Sequence, residues 1–206
     1  QHYAFVVNAF VSLLKRADMT RYELFLRETR TYEIIEDVKN FRSEIGVLFL
    51  NGYNRDVLTK MFDDNRLTYT SLFKARPHIF VSKSNPLAKH KVVSLEDLED
   101  FPYLSYDQGI HNSFYYSEEI LSQIPHKKSI VVSDRATLFN LLIGLDGYTI
   151  ATGILNSNLN GDNIVSIPLD VDDEIDIVYL KHEKATLSKM GEKFLDNLVK
   201  EVTFDN

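Results

Sequence analysis

The segment Lys74–Tyr106, KARPHIFVSKSNPLAKHKVVSLEDLEDFPYLSY, decides the fold of this chain. Its pattern predicts a strand, a turn that contains proline, a short acidic helix and a second strand, without a recognisable catalytic motif. This order suggests that the chain leaves one α/β lobe, builds a second lobe and leaves a cleft between the two. Small molecules bind preferentially in such clefts. The segment therefore favours a protein that senses a small molecule over an enzyme.

Helices and strands alternate on both sides of this segment, which predicts mostly parallel sheets with right-handed crossovers. The spacing of apolar residues predicts the following elements before it: helix His2–Arg16, strand Tyr22–Arg27, helix Tyr32–Asn40, strand Ile45–Leu50, a helix through Val57 and Phe62, and strand Leu67–Phe73. The elements predicted from Ile79 onward are strand Ile79–Ser82, helix Leu95–Asp100 capped by Ser94, strand Pro102–Tyr106, helix Ser113–Ile124, strand Ser129–Val132, helix Ala136–Leu142, strands Tyr148–Thr152, Ile164–Val171 and Glu174–Leu180, and helix Ser188–Val202.

The composition limits the possible functions. The chain has 206 residues, enough for one domain or two lobes of roughly 100 residues each. Its net charge of −7 argues against a surface that grips nucleic-acid phosphates. There is no cysteine, which excludes disulfides, zinc–thiolate sites and thiol catalysis. The sequence fits a reducing cytoplasm, and a cytoplasmic protein is expected.

No membrane segment or leader is predicted. The longest weakly charged stretch, Leu141–Leu155, is short and is interrupted by glycine and aspartate. Gln1-His2-Tyr3 enters a helix directly, without the basic region of a signal peptide. This abrupt start suggests that a strand or a domain lies upstream.

Motifs for other chemistries are missing from the sequence, which contains no G-x-S-x-G, no P-loop and no H-E-x-x-H. The six histidines are scattered without the spacing of metal ligands. The acidic pair Glu118-Glu119 and the run Asp170–Asp176 are interpreted as solvated charges. We therefore expect no metal, no cofactor and no catalytic residue. A catalytic pair of carboxylates stays open as an alternative, but the sequence singles out no such pair.

Three passages in a fixed order carry a family resemblance. They are His78–Leu104, Val131–Leu155 (VVSDRATLFNLLIGLDGYTIATGIL) and Ile175–Leu198 (IDIVYLKHEKATLSKMGEKFLDNL). In this order the chain resembles the effector-binding domain of a LysR-type transcriptional regulator over essentially its whole length. Gly144–Tyr148 departs from the family pattern, because it is one residue longer there.

The resemblance implies an α/β fold of two Rossmann-like lobes joined by two crossing strands, like a type 2 periplasmic binding protein. Lobe boundaries are then expected at residues 1–78 with 178–206 for the first lobe and 79–177 for the second. A winged helix-turn-helix is absent, so DNA would be bound only through a missing N-terminal domain. The family's first apolar strand is also expected to be missing or truncated.

The resemblance also implies the partners. A small-molecule effector would bind between the lobes and change DNA binding, and no membrane would be involved. Regulatory domains of the family pair side by side, so a homodimer is expected, with a tetramer in the full-length protein. Helices His2–Arg16 and Ala136–Leu142 would contribute to the two-fold interface. Gln1-His2-Tyr3 is similar to a Gram-positive branch linked to methionine and cysteine metabolism.

The candidate effector-binding residues lie where strands end and helices begin, because unpaired N–H groups there attract carboxylates and other anions. Each has a plain structural alternative: a frayed end, a turn, a helix cap or a core aromatic. His78 is interpreted as a structural histidine. The candidates are Gln1, His2, Tyr3, Leu50, Asn51, Ser105, Tyr106, Ser133, Asp134, Thr152 and Gly153.

Two other functions remain open at this point. A solute-binding protein of a transporter would share the two-lobed fold and would carry a secretion signal upstream. An enzyme on the same scaffold would show turnover and a pair of poised titratable groups in the cleft.

Overall fold

A computed structural model describes residues 1–17, 20–155 and 161–203, except for the side chains of residues 201 and 203. Five α-helices lie in the described residues. They are α1 (Ala4–Arg16), α2 (Thr31–Lys39), α3 (Arg55–Asp64), α4 (Arg135–Gly144) and α5 (Lys189–Thr203).

Eight strands form two separate sheets within the described residues. They are β1 (Gly46–Leu50), β2 (Leu67–Ala75), β3 (His78–Ser82), β4 (Tyr103–Tyr106), β5 (Ser129–Val132), β6 (Tyr148–Ala151), β7 (Ile164–Pro168) and β8 (Ile175–His182).

The first sheet has the order β1-β8-β2, with β8 antiparallel to both neighbours. All five residues of β1 are buried, as expected for a strand that is covered on both faces. Helix α2 approaches β1 closely at Gly46, where an added Cβ would lie 2.6 Å from the Ile34 side chain. This sheet and helices α1, α2, α3 and α5 make up lobe I.

The second sheet has the order β5-β4-β6-β3-β7. Strand β4 is parallel to β5 and β6, whereas β3 is antiparallel to β6 and β7. Helix α4 packs on this sheet through Leu138 and Leu142, which share a buried cluster with Phe80 and Leu104. The second sheet and α4 make up lobe II.

A continuous apolar core joins the two lobes. One cluster contains Phe5 and Ile177 of lobe I together with Ile79 and Ile150 of lobe II. A second cluster lies within lobe I, where α2 and α3 cover β1 and β8 around Phe62. The lobes are therefore closed against each other in this conformation.

The chain passes between the lobes twice, and the two connections lie side by side. Residues 76–77 join β2 to β3, and residues 169–174 join β7 to β8. The backbone N–H of Leu169 donates to the carbonyl oxygen of Pro77 at 3.0 Å. The His78 ring lies at this crossing, with Nδ1 2.9 Å from the Arg76 carbonyl oxygen, which fits a structural histidine.

Most predicted elements form close to their expected bounds, but some predictions are wrong. The sheets are mixed rather than mostly parallel, because β8 and β3 run against their neighbours. Residues 21–30 form no strand, since no described strand pairs with them. The predicted helix Ser113–Ile124 contains only a 3₁₀ turn at Phe114–Tyr116.

The predicted helix at Leu95–Asp100 is reduced to a 3₁₀ turn at Glu96–Leu98. Ser94 and Asp97 exchange hydrogen bonds across its start, with Ser94 N–H donating to Asp97 Oδ2 at 2.8 Å. This reciprocal pair is a capping box, as the predicted role of Ser94 requires.

The described helices include none that is both long enough and apolar enough to cross a membrane.

Candidate functional site

Residues 107–119, called the strap below, leave lobe II after β4 and lie against lobe I. Their side chains make tertiary contacts in place of a helix, which shows tertiary packing overriding local helical preference. The Arg30 guanidinium of lobe I binds the Asp107 carboxylate at 2.5 Å. The Tyr32 ring stacks on His111 with centroids 3.5 Å apart, and Tyr53 and Tyr115 stack at 4.8 Å.

A buried contact between His2 and Glu118 links the strap to the start of α1. Glu118 Oε2 accepts a hydrogen bond from the His2 backbone N–H at 2.8 Å and lies 2.9 Å from His2 Nδ1. Both side chains are almost fully buried. The sequence interpretation of Glu118 as a solvated charge is therefore wrong. Its carboxylate lies at the helix start where an anionic ligand was expected.

A hydrogen-bond network extends from Glu118 to the first residue. Gln108 Nε2 donates to Glu118 Oε1 at 3.1 Å. Gln108 Oε1 accepts from the backbone N–H of Thr31, which is the first residue of α2, at 3.1 Å. Gln1 Nε2 then donates to Thr31 Oγ1 at 2.6 Å. A side chain of lobe II thus caps a helix of lobe I, and this bond depends on closure of the lobes.

A small cavity lies between the lobes beside this network. Its volume is about 50 Å³. Since one water molecule needs about 10–15 Å³ of such space, the cavity admits roughly four water-sized groups. Its walls come from α1, both sheets, the strap and α4. The lining residues are His2, Tyr3, Ala4, Phe5, Phe49, Phe80, Tyr106, Glu118, Glu119, Ile120, Arg135, Leu138, Phe139, Thr149, Ile150, Ala151, Thr152, Ile154 and Ile175.

Glu119 is the unusual group in this wall. It is 3% exposed, and the Tyr106 N–H donates to its Oε1 at 3.0 Å. Its Oε2 is buried and has no hydrogen-bond partner among the described residues. Burial, and then the charge of Glu118, raise the pKa of Glu119 well above its usual value. The Glu119 carboxyl is therefore held towards its neutral form, and it is not a solvated charge.

Four candidates from the sequence line the cavity: His2, Tyr3, Tyr106 and Thr152. The His2 and Tyr106 rings stack with centroids 4.2 Å apart and an interplanar angle of 11°. This stack joins the start of α1 to the end of β4, so the two lobes contribute one aromatic wall. Tyr3 donates its hydroxyl to Gln1 Oε1.

Three other candidates serve the framework of lobe I. Gln1 is buried outside the cavity, and its amide oxygen accepts from the Phe49 N–H at 3.2 Å. Leu50 is part of the lobe I core. Asn51 closes the turn after β1 by accepting from the Asn54 N–H at 3.1 Å.

The remaining candidates are structural residues of lobe II. Asp134 caps α4 by accepting from the Thr137 N–H at 2.8 Å, and Ser133 is exposed beside it. Ser105 is half-buried within β4, away from the cavity lining. Gly153 has φ +83° and faces the His78 ring, where an added Cβ would lie 2.6 Å from Nδ1.

Sequence reasoning missed Glu118, Glu119 and Arg135. Arg135 Nε donates to Glu28 Oε1 of lobe I at 2.9 Å, which adds another link between the lobes. A signal for the two glutamates exists in the sequence, because they are adjacent acidic residues directly before the apolar Ile120-Leu121. The acidic run was also misread at Asp176, which is buried and binds Arg55 at 2.9 Å.

A larger groove, about 590 Å³ in volume, lies on lobe I. It runs between β1 and residues 21–30, and Asp37 in its wall is already paired with Arg27 and Arg42. Only lobe I contributes to its walls, so a ligand there would not contact both lobes. In the described residues, no group of three or more acidic or histidine side chains could hold a metal ion.

The family model for the LysR substrate binding domain matches residues 14–203. The chain belongs to this family. The expected fold, a type 2 periplasmic-binding-protein-like α/β fold, is confirmed. No match was found among curated proteins.

Several solved structures share the fold. The effector-binding domain of QuiR in complex with shikimate is 17% identical, with a TM-score of 0.60 over 95% of this chain and 88% of that one. The reduced regulatory domain of OxyR from Pseudomonas aeruginosa has a TM-score of 0.66 at 12% identity, covering 96% and 90% of the two chains. HinK, a LysR family regulator from Pseudomonas aeruginosa, matches with a TM-score of 0.60 at 15% identity over 98% of this chain and 66% of HinK.

The raised pKa of Glu119 predicts a pH dependence of stability. The folded state holds the proton more tightly than the unfolded chain, whose carboxyl titrates near 4.5. The free energy of unfolding should therefore fall as pH rises above 4.5, by about 1.4 kcal/mol per pH unit, until the folded pKa is reached. In Glu119→Gln this decline should disappear, as measured by urea unfolding at pH 5, 6 and 7.

The matched control is Glu99→Gln, since Glu99 is an exposed glutamate paired with Lys127. This variant should keep the wild-type slope above pH 5. Equal slopes for wild type and Glu119→Gln would show that Glu119 is ionised in the folded protein.

Proposed function

We propose that this chain is the ligand-sensing regulatory domain of a LysR-type transcription factor. The observation that carries the proposal is a cavity walled by both lobes in a chain of the LysR substrate-binding family. A ligand in this position contacts both lobes, so its affinity depends on the angle between them. Such a difference in affinity between two conformations is what a regulatory signal requires.

The proposed change is an opening and closing of the two lobes, with residues 1–78 and 178–206 moving against residues 79–177. The closed cavity admits only about four water-sized groups, so a larger effector requires a wider lobe angle. The contacts made by Glu118, Gln108 and Arg135 across the cleft would then break or rearrange. Effector size and lobe angle are coupled in this scheme.

The proposed effector is a small metabolite, amino-acid-like or anionic. QuiR was solved with shikimate and the BenM effector-binding domain with benzoate, which are small molecules of comparable size. The start Gln1-His2-Tyr3 supports extending the proposal to amino acid metabolism, and to its sulfur branch in particular. No catalytic step is proposed for the chain.

The proposed partners follow from the same assignment. DNA would be bound by an N-terminal winged helix-turn-helix outside these residues, in the cytoplasm. A homodimer would form through exposed parts of α1 and α4, and a tetramer in the full-length protein. Exposed apolar residues at the end of α4, Ile143 and Leu145, support an interface there.

A metabolite screen tests the proposal. Amino acids and their biosynthetic precursors are added at up to millimolar concentration, and thermal unfolding is followed for the chain. A ligand present at 100 times its Kd should stabilise the protein by about 2.7 kcal/mol. Consumption of a stabilising compound with formation of product would contradict the proposal and favour an enzyme.

Two matched variants locate the binding site. Ala151 lines the cavity, whereas Ala136 is exposed on α4 outside it. Ala151→Leu should remove the ligand-induced stabilisation because the added side chain fills the space, and Ala136→Leu should preserve it. Stabilisation that survives in both variants would place the ligand elsewhere, for example in the groove of lobe I.

A further inference from the structure

We propose that the cavity recognises a ligand through a protonated amine that donates to the unpartnered Glu119 Oε2. This inference rests on the proposed function, because it names the chemical class of the effector. It chooses a cationic head group over the anion that helix starts in such a cleft would ordinarily favour.

The first support is that the acceptor side of the cavity is incomplete. A buried carboxyl oxygen without a hydrogen-bond partner is costly, and native structures leave few such atoms. Glu119 is 97% buried, with 3% of its surface exposed, and its side chain lines the cavity. An ammonium group supplies both the missing hydrogen-bond donor and an opposite charge.

The second support is that the other carboxylate and the guanidinium group in the wall already have partners. Glu118 is paired with His2, and Arg135 with Glu28. An anionic ligand at the start of α1 would have to displace the Glu118 carboxylate, which already accepts the His2 N–H. Among the described residues, Glu119 is therefore the carboxyl group of this wall with an oxygen that has no partner.

The third support is size. Propylammonium has four non-hydrogen atoms, which matches the roughly four water-sized groups that the closed cavity admits. The ring stack of His2 and Tyr106 and the aliphatic wall of Leu138 and Ile150 can contact the propyl chain. A small amine thus fits the closed conformation without a wider lobe angle.

Binding should release a proton. Glu119 is held towards its neutral form, and it must ionise to pair with an ammonium group. The titratable or charged groups that face it are Glu118 of the strap, Tyr3 and His2 at α1, Tyr103 and Tyr106 of β4, and Arg135 of α4. Burial raises the pKa of each of the three tyrosines, so they stay neutral in the working pH range. The affinity for an amine should therefore rise between pH 6 and pH 8.

The test compares three small probes by isothermal titration and saturation-transfer NMR: propylammonium, its isostere 1-propanol, and propionate, an anion with one more non-hydrogen atom. At pH 8 propylammonium should bind at least about tenfold more tightly than either other probe, since hydrogen bonds between charged groups are the stronger ones. Glu119→Gln should reduce the affinity for propylammonium to that for 1-propanol. The exposed Glu99→Gln variant should leave all three affinities unchanged.

Other outcomes overturn the inference. Propylammonium that binds no better than 1-propanol, or equally well to Glu119→Gln, would mean that an internal water satisfies Oε2. In that case the proposed function stands if a metabolite still stabilises the protein and Ala151→Leu abolishes the effect. If neither these probes nor the metabolites bind, the amine site and the sensing function both fail.

Discussion

Replacing Glu118 by alanine is expected to lower the free energy of unfolding by about 3 kcal/mol and to favour an open cleft. Removing the acceptor from a buried hydrogen-bond cluster costs about 1–3 kcal/mol for each donor left unpaired, because that donor loses its partner without gaining water. His2 loses two contacts and Gln108 loses its acceptor. Because Glu119 is held towards its neutral form, little like-charge repulsion is relieved in return.

Urea unfolding measures the stability, and small-angle X-ray scattering measures the lobe separation through the radius of gyration. Glu99→Ala serves as the control, since it also removes one glutamate from an ion pair, here with the exposed Lys127. Exposed pairs contribute little, so this variant should behave like wild type in both measurements. A similar loss in both variants would mean that the Glu118 contact does not hold the lobes together.

Replacing Phe62 by alanine is expected to cost about 3–5 kcal/mol, the usual range for a large aromatic residue in a core. Phe62 is 0% exposed and lies in the lobe I cluster formed by α2 and α3 against β1 and β8. The variant should unfold at a much lower urea concentration, and the dependence of its free energy of unfolding on urea concentration should be unchanged. The space left by the missing Phe62 ring lies away from the cleft, so a ligand should still stabilise the fraction of the variant that remains folded.

The comparison for this prediction is Phe25→Ala. Phe25 is 82% exposed on the segment 21–30, so its truncation should change stability by no more than about 0.5 kcal/mol. If Phe62→Ala and Phe25→Ala lowered the free energy of unfolding equally, the helices of lobe I would not be packed as described.

Local patterns were sufficient for most of the fold. The apolar run at Ile45–Leu50 and the helical spacing around Phe62 depend on burial against the nearest neighbours in the chain, and periodicity reports such burial directly. Strand direction does not follow from these patterns. The antiparallel position of β8 depends on where the chain crosses back into lobe I, which is a long-range property.

The candidate site was predicted only where it coincides with the ends of regular elements. His2, Tyr3, Tyr106 and Thr152 were found because they adjoin α1, β4 and β6. Glu118 and Glu119 lie in the irregular strap, and their burial results from the approach of the opposite lobe. Acidic residues are rarely buried without a partner, so the sequence predicted that both glutamates would be exposed to solvent.

Residues 21–30 are a second case in which long-range contacts, which the sequence does not reveal, decide the outcome. Tyr22–Arg27 has the composition of a strand, with Tyr22, Leu24 and Leu26 at alternate positions. A strand needs a hydrogen-bonded neighbour, and the groove of lobe I separates this segment from β1. Strand propensity therefore predicted an element for which the described part of the fold provides no pairing partner.

The bond between Leu169 and Pro77 restricts how the molecule can deform. In the proposed opening and closing of the lobes, a bond between the two connections favours rotation about an axis through them over sliding. Displacement in a rotation grows with distance from its axis. A small change at the connections would thus be magnified in the parts of each lobe that lie far from them.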